Sequence, residues 1–550
     1  MSGTVAKFIV DALEAEGVKY VFGLPGEENI HLVHALKGST IRFVLVRHEQ
    51  GAAFMADIYG RLTGRAGVCL STLGPGALNL LLGVADATFD STPLVAISAQ
   101  VGLSRIYKET HQIVDLVSVY RPVTKWAETV STLHALPEIV RKAFQAAEEE
   151  RPGATFLAIP EDIESADIPA TIKLLPRSVT ALGAPDPRQV NAAAALIREA
   201  KSPIILAGHG VARARAHDEL TALARQMNIP VATTFMGKGC ISDKSHLSLG
   251  VVGFMHHDYE NFAFDRADLI IAVGYELQEF APSKINPDGN KTIIHMHCFQ
   301  EDVDASYQVS AAVIGNVRLC LEALRKATHD LHFDEKAQAA IRGARQAELA
   351  RYADDASYPV KPQRIVQTVR EVLKDEDVTL VDTGAVKMWM ARLYPAYLPL
   401  TCLFSNGLAT MAYSLPGAIG AHLACPDRKI LAVMGDGGFL MNSQEIETAV
   451  RENIPLKILI WVDDSFGLIE WKMDLAFKES YGVRFTNPDF TTYAESFGCK
   501  GYWVDSAESL SPILSQAINE PGVSIVACPV DYSENMKLSE RLMHLGDGAI

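Results

Sequence analysis

Residues 431–467 read LAVMGDGGFLMNSQEIETAVRENIPLKILIWVDDSFG. The apolar run 431–434 has the length and composition of a buried strand and breaks at Gly435-Asp436-Gly437-Gly438. A segment with apolar residues at helical spacing follows, and a second apolar run, 457–462, ends at Asp463. In an open α/β sheet, anionic ligands sit at strand C-termini beside helix N-termini, where backbone N–H groups and the helix dipole point. Gly435, Gly437 and Gly438 let the backbone approach a bulky anion, while Asp436 and Asp463, at the ends of two strands, offer oxygen to a hard cation. Mg²⁺ prefers a few carboxylates together with phosphate oxygens, so a diphosphate is the expected ligand. The competing reading is an ordinary glycine-rich turn with Asp436 as a helix N-cap.

The same alternation extends in both directions. Residues 1–170 read as helix 4–17, strand 20–22, the turn Gly23-Leu24-Pro25-Gly26, strand 41–46 ending at Arg47-His48-Glu49, and helix 50–62. Strand 67–71, the turn Leu73-Gly74-Pro75-Gly76 with its helix, and strands 94–98 and 155–159 complete this block. Strands at 203–207, 231–233, 269–272 and 292–296 form a second block, and a charged, alanine-rich helical stretch, 331–358, bridges to a third. That block has strands at 379–381, 403–405, 430–433, 458–462 and 525–527. The expectation is an α/β chain of three doubly wound parallel-sheet domains, 1–175, 188–330 and 360–535, with a linker at 175–187 and a polar cap at 533–550. The first and third blocks are candidates for two copies of one fold, although no residue-level repeat supports that.

Composition narrows the class. A chain of 550 residues exceeds one core, and 48% apolar residues exclude disorder. A net charge of −16 without a basic run argues against nucleic acid. Eight cysteines without a CxxC pair fit reduced thiols, and the absence of a signal-peptide pattern or membrane-length apolar window predicts a cytoplasmic protein with no membrane partner. Gly208-His209-Gly210 lacks the third glycine of a dinucleotide fingerprint, since position 213 is Arg, and reads as a structural turn. His256-His257 and His295-Met296-His297 lack helical ligand spacing and nearby cysteine, and read as core or surface histidines.

The arrangement at 431–467 resembles the thiamine-diphosphate motif, GDG followed a helix and a strand later by Asn or Asp. Phe22-Gly23-Leu24-Pro25-Gly26, Arg47-His48-Glu49-Gln50-Gly51-Ala52-Ala53, Gly60-Arg61-Leu62-Thr63-Gly64 and Gly74-Pro75-Gly76 resemble the first domain of thiamine-diphosphate enzymes of the acetohydroxyacid synthase group. Thr110-His111-Gln112, Pro122-Val123-Thr124-Lys125, Trp389-Met390-Ala391-Arg392 and Pro529-Val530-Asp531-Tyr532-Ser533 look most like the catabolic, flavin-independent acetolactate synthases. A flavin-binding relative is expected to carry Arg after the strand at 269–273, where this chain has Gly274-Tyr275-Glu276-Leu277-Gln278-Glu279-Phe280.

The resemblance implies a carboligase that decarboxylates one pyruvate on thiamine diphosphate and ligates the remainder to a second, giving 2-acetolactate and CO₂. Glu49 matches the carboxylate that bonds the aminopyrimidine ring, so that the exocyclic nitrogen can take the proton from thiazolium C2; its bland role is a helix N-terminal charge facing water. Met411 matches the apolar wedge that bends the cofactor, the Ala409 carbonyl would hold the amino group, and a core methionine is the alternative. Asp436, Asp463 and the Ser465 backbone carbonyl match the Mg²⁺ ligands, and Gly26, Thr383, Gly384, Gly437, Gly438 and Phe466 fall at further cofactor contacts. His111 and Gln112 match the pair near the reacting carbonyls, able to donate to developing alkoxides, against a reading as solvated loop polarity. FAD is not expected. The family sets Glu49 of one subunit against the diphosphate domain of another, so a homodimer or homotetramer with interfacial active sites is implied.

Some residues depart from the pattern. Thr383-Gly384-Ala385-Val386 stands where relatives use polar side chains near the diphosphate. Asp463 stands where many relatives have Asn, as in catabolic members. Lys472 replaces the Trp or Gln that shapes the second-substrate pocket, and Glu27 and Glu28 follow Gly26, where relatives have small residues or Lys. A Lys in an acceptor pocket suits a carboxylate or phosphate, whereas two carboxylates repel pyruvate unless they point away. A different 2-oxo acid decarboxylase or 2-hydroxyacyl-CoA lyase of the same fold, and a non-catalytic cofactor-binding protein, are the alternatives.

Overall fold

A computed structural model describes residues 3–178, 181–334, 336–352 and 354–544; residues 179–180 of the expected linker, 335 and 353 of the expected bridge and 545–550 of the expected cap lie outside them. The chain divides into two compact units. One comprises Met1–Thr180, Gly407–Asp427 and Leu440–Leu456, and the other Ala181–Asn406, Arg428–Phe439 and Lys457–Ile550. Among the described residues no helix is long and apolar enough to cross a membrane.

The first unit holds a six-stranded sheet of β1 (Tyr20–Gly23), β2 (Arg42–Leu45), β3 (Gly67–Ser71), β4 (Leu94–Gln100), β5 (Trp126–Thr129) and β6 (Ala154–Pro160). The second unit holds two more. One has β7 (Pro203–Ala207), β8 (Val231–Thr233), β9 (Ser248–Val251), β10 (Leu269–Val273), β11 (Thr292–His297) and β12 (Val309–Ile314). The other has β13 (Val378–Val381), β14 (Cys402–Phe404), β15 (Ile430–Gly435), β16 (Lys457–Val462), β17 (Lys500–Trp503) and β18 (Ser524–Pro529). Every strand pairing among them is parallel, as helical crossovers demand.

Why these segments are strands is visible in the middle sheet, where alternate residues feed separate apolar clusters. Ile205, Val231, Ile271, Val273 and Ile294 face one cluster, and Ile204, Leu206, Ala232, Ile270, Ala272 and Ile293 the other. Burial on both faces explains the unbroken apolar runs.

Strand order gives the expected duplication its structural content. The first sheet runs β2-β1-β3-β4-β6-β5 and the third β14-β13-β15-β16-β18-β17, the same order strand for strand, whereas the middle sheet runs β12-β11-β10-β7-β8-β9. In each, the order reverses within the sheet, between β1 and β3, β7 and β10, and β13 and β15. Ligands of doubly wound sheets bind in the crevice outside the strand C-termini at that point. The helix of the expected bridge is Lys336–Ala350. In the terminal segment the helix Glu534–Met543 buries Leu538 and Leu542, and its Asn535 and Ser539 accept hydrogen bonds from the indoles of Trp389 (2.8 Å) and Trp471 (2.9 Å).

Candidate active site

In the second unit the reversal of the third sheet places Thr383-Gly384, after β13, beside Gly435-Asp436, at the end of β15. Val381 pairs with Val433, and Gly435 with Trp461 of β16, so Asp463 follows one strand over. Space is left here. A Cβ on Gly435 would meet no atom within 4 Å, one on Gly384 (φ +146°) only Val386 Cγ1 at 3.9 Å, and the buried Thr383 Oγ1 has no hydrogen-bond partner. Gly437 is different, because a Cβ would lie 2.9 Å from the Phe466 ring, which itself packs edge-on against Phe485 at 5.1 Å. Gly438 lies with it in the first turn of the helix Asp436–Asn442.

Asp436 is buried at the head of that helix. Its Oδ2 accepts from the N–H groups of Asp463 (3.1 Å) and Asp464 (2.8 Å) and from Asn487 Nδ2 (2.8 Å), and its Oδ1 from Gly437 N (2.8 Å). Burial raises its pKa, and these four donors pull it back. Burial likewise pushes the Asp463 carboxyl up to about 8, with the Asp436 charge the next cause and Glu470 after it. Two crowded carboxylates whose charges disfavour one another are a donor set that a hard divalent cation would satisfy. The loop carrying them is pinned, since Ser465 Oγ donates to Val483 O (3.3 Å), Phe466 N to the same carbonyl (3.0 Å) and Arg484 Nη1 to Asp463 O (3.2 Å). Lys472 is exposed on the following helix, Gly467–Phe477. A cavity of about 570 Å³ opens beside Asp463, lined also by Trp503, Pro529 and Tyr532 at the ends of β17 and β18.

In the first unit, Glu49 is the first residue of the helix Glu49–Thr63, not the last of a strand, and is 7% exposed rather than facing water. His48 is the N-cap, its Nδ1 accepting from Gln50 N at 3.1 Å, and Glu49 Oε2 accepts from Asn79 Nδ2 at 2.9 Å. The turns after β1 and β3 gather around it. A Cβ on Gly76 would lie 3.2 Å from Glu49 Oε1, and one on Gly26 would collide with Thr72 at 2.4 Å. Glu28, whose charge near the site was a concern, accepts from Thr72 Oγ1 at 2.8 Å, and Glu27 is exposed. His111 and Gln112 are exposed in the segment after β4; Gln112 has φ +58°, and its carbonyl packs against Gly74.

The segment 407–412 belongs to this unit too. Ala409 (φ +55°) is exposed, Met411 is half-buried, and Ala412 (φ +67°) follows. Left-handed conformations at two alanines are costly and persist only where the surroundings impose them. Gly407 N donates to Asp90 Oδ1 (2.6 Å) and Asn442 Nδ2 to Ala412 O (2.9 Å), which fixes both ends.

The reversal point of the middle sheet is filled by the chain itself. The buried Glu279 carboxylate accepts from His209 N (3.0 Å), Glu276 N (3.0 Å) and Thr234 Oγ1 (2.5 Å). A Cβ on Gly208 would meet Gly274 O at 2.5 Å and Glu279 Oε1 at 2.7 Å. The expected turn is instead the start of a helix: Gly208 caps the short helix His209–Arg213, and both Gly208 and Gly210 pack on Gly274. His295 bonds Tyr307 Oη (3.0 Å) and the Phe299 carbonyl (3.0 Å), as a core histidine does.

Sequence reasoning missed Asn79 and Asn487. Asn79 had a signal, being the one polar residue in Ala77-Leu78-Asn79-Leu80-Leu81-Leu82. Asn487 precedes a proline and had none; its Nδ2 ties Asp436 to Asp464 Oδ1 (2.7 Å).

Comparison with known proteins gives matches over nearly the whole chain. Three family descriptions match in order: thiamine pyrophosphate enzyme, N-terminal TPP binding domain, over residues 3–119; its central domain over 190–324; and its C-terminal TPP binding domain over 382–528. An acetolactate synthase of Bacillus subtilis (strain 168) is 33% identical over 543 residues, covering 97% of this chain and 94% of that protein. A catabolic acetolactate synthase of Raoultella terrigena is 36% identical over 549 residues, 98% of this chain and 97% of that one. The isozyme 2 large subunit of acetolactate synthase from Escherichia coli (strain K12) is 31% identical over 536 residues, 96% of each.

Proposed function

We propose, from the premise that this chain belongs to the acetolactate synthase family of thiamine pyrophosphate enzymes, that it converts two pyruvates into 2-acetolactate and CO₂. The observation that carries this reading is the similarity to acetolactate synthases over 96–98% of the chain. The domains are taken as 1–175, 188–330 and 360–535.

Thiamine diphosphate, when bound, supplies the carbon nucleophile. Thr383, Gly384, Gly437 and Gly438 would cradle its diphosphate, since the Thr383 hydroxyl is buried without a partner beside the open Gly384 and Gly435. Asp436, Asp463 and the Ser465 carbonyl would hold Mg²⁺, with Phe466 closing over Gly437. Met411, the Ala409 carbonyl and Gly26 would hold the pyrimidine end. Glu49 would exchange a proton with that ring, and its burial beside one neutral donor, Asn79, keeps water from competing for the carboxylate. His111 and Gln112 would donate to the oxyanion that develops on each pyruvate carbonyl, and Lys472 would meet the acceptor carboxylate. The self-filled crevice at Glu279 supports a middle domain without flavin. The working enzyme is taken as a cytoplasmic homodimer or homotetramer with its sites between subunits; eight cysteines without a CxxC pair suit a reducing compartment.

The test offers the purified protein, with Mg²⁺ and thiamine diphosphate, a panel of 2-oxo acids, aldehydes and acyl-CoAs, with products identified by mass. Acetolactate from pyruvate is expected, as is loss of turnover with retained cofactor binding in Glu49→Gln. No acetolactate, or unchanged turnover in that variant, defeats the reading.

A further inference from the structure

We propose that Glu445 is a positioning residue for Glu49, fixing the stretch of backbone from which that carboxylate projects. This rests on the reading of Glu49 as the proton-exchanging group. Glu445 opens the helix Glu445–Arg451 and is wholly buried, in the same compact unit as Glu49. Its Oε1 accepts from Arg47 N at 3.1 Å and His48 N at 3.0 Å, and its Oε2 from Thr448 Oγ1 at 2.7 Å.

These bonds go to the two residues immediately before Glu49. Neither N–H belongs to a helix or to a strand ladder, and in this partly buried turn both take their hydrogen bond from the one carboxylate, which therefore fixes where the turn can lie. The contact continues past Glu49, since a Cβ on Gly51 would sit 2.8 Å from Glu445 Oε1. One side chain therefore touches positions 47, 48 and 51 around a catalytic candidate at 49. A buried carboxylate serving only its own helix would not need acceptor geometry toward backbone some four hundred positions away. Burial pushes the Glu445 carboxyl up to about 7, and the Thr448, Arg47 and His48 donors pull it down.

The test compares wild type, Glu49→Gln, Glu445→Ala, Glu445→Gln and Gly51→Ala. Each is assayed for kcat, for thiamine diphosphate affinity by fluorescence titration with Mg²⁺ present, and for the circular dichroism band of the bound cofactor's imino tautomer. Glu445→Ala should lower kcat roughly 10- to 100-fold and weaken the imino band in step, with cofactor affinity within about twofold. Glu445→Gln, whose amide oxygen still accepts from both N–H groups, should recover kcat to within about threefold of wild type. Gly51→Ala, which crowds the carboxylate without removing it, should lower the same two readouts and keeps the proposal testable if Glu445→Ala does not fold. Unchanged kcat and band in Glu445→Ala, or in Gly51→Ala where the first is insoluble, overturns the positioning role, as does a Gln variant no better than Ala. Wild type without acetolactate, or an active Glu49→Gln, instead overturns the proposed function.

Discussion

Replacing Asp463 by Asn should stabilise the metal-free protein and weaken its hold on Mg²⁺. In the structure the Asp463 side chain is largely buried beside Asp436 and near Glu470, and Arg484, a cation that offsets these charges, is about two-thirds exposed. Two like charges ~4 Å apart repel by about 4 kcal/mol at an effective dielectric of ~20. Relaxation and the Arg484 guanidinium reduce that, leaving about 1–3 kcal/mol for an isosteric amide to recover at pH ~9, where the carboxylates are ionised. At roughly 2–4 °C per kcal/mol for a domain of 150–250 residues, the melting temperature in excess EDTA should rise by several degrees. Adding Mg²⁺ and thiamine diphosphate should reverse the order, because the wild type has two carboxylates for the cation and the variant one; Mg²⁺ affinity should fall about tenfold or more in a calorimetric titration. A metal-free variant no more stable than wild type, or one that binds Mg²⁺ equally well, would refute the view that these two aspartates are held apart in energy until a cation joins them.

Asn79→Ala removes the neutral donor from Glu49. A hydrogen bond to a charged group is worth about 1.5–3 kcal/mol, so kcat should drop at least tenfold with cofactor affinity little changed; steady-state acetolactate formation beside a binding titration checks this. Arg392→Met leaves Asp258, which the guanidinium bonds at 2.5 and 3.0 Å in a buried site, without its counter-charge. Breaking a buried pair costs about 3–5 kcal/mol, and urea unfolding should show a correspondingly lower midpoint for the second unit. Glu164 is buried and accepts from Leu32 N at 2.6 Å, and burial pushes its carboxyl up to about 7. The folded state thus retains a proton that the unfolded chain loses near 4.5. The stability this contributes is present below that pH and is lost as pH rises through about 7, at up to about 1.4 kcal/mol per unit. Glu164→Gln should abolish this slope, so denaturation between pH 5 and 8 should show the variant gaining on wild type; parallel curves would count against it.

The sequence reading found fourteen strands, and the four it passed over, β5, β9, β12 and β17, all lie at sheet edges. That is physical rather than accidental. Central parallel strands are buried on both faces and appear as apolar runs, whereas Lys500-Gly501-Tyr502-Trp503 of β17 is largely exposed, and Ser248-Leu249-Gly250-Val251 of β9 is interrupted by a glycine at φ +111°. Much of the site was legible for the converse reason: glycines at strand ends, with an acid beside them, mark the reversal points of the first and third sheets. What was not legible is what holds those acids. Asn79, Asn487 and Glu445 act through hydrogen bonds to residues distant in sequence, and no periodicity announces such partners. In the middle domain the missing third glycine after Gly208-His209-Gly210 was legible, whereas Glu279, which occupies that crevice, was not.

The bond from Glu445 to the Arg47 backbone spans 398 positions. At a synthesis rate of about 5–20 residues per second, Arg47 is made roughly 20–80 seconds before the side chain that secures the turn carrying Glu49. The amino-terminal fold can form early, but that turn waits for the last quarter of the chain. A chain interrupted before Glu445 would lack the carboxylate that receives the Arg47 and His48 N–H groups.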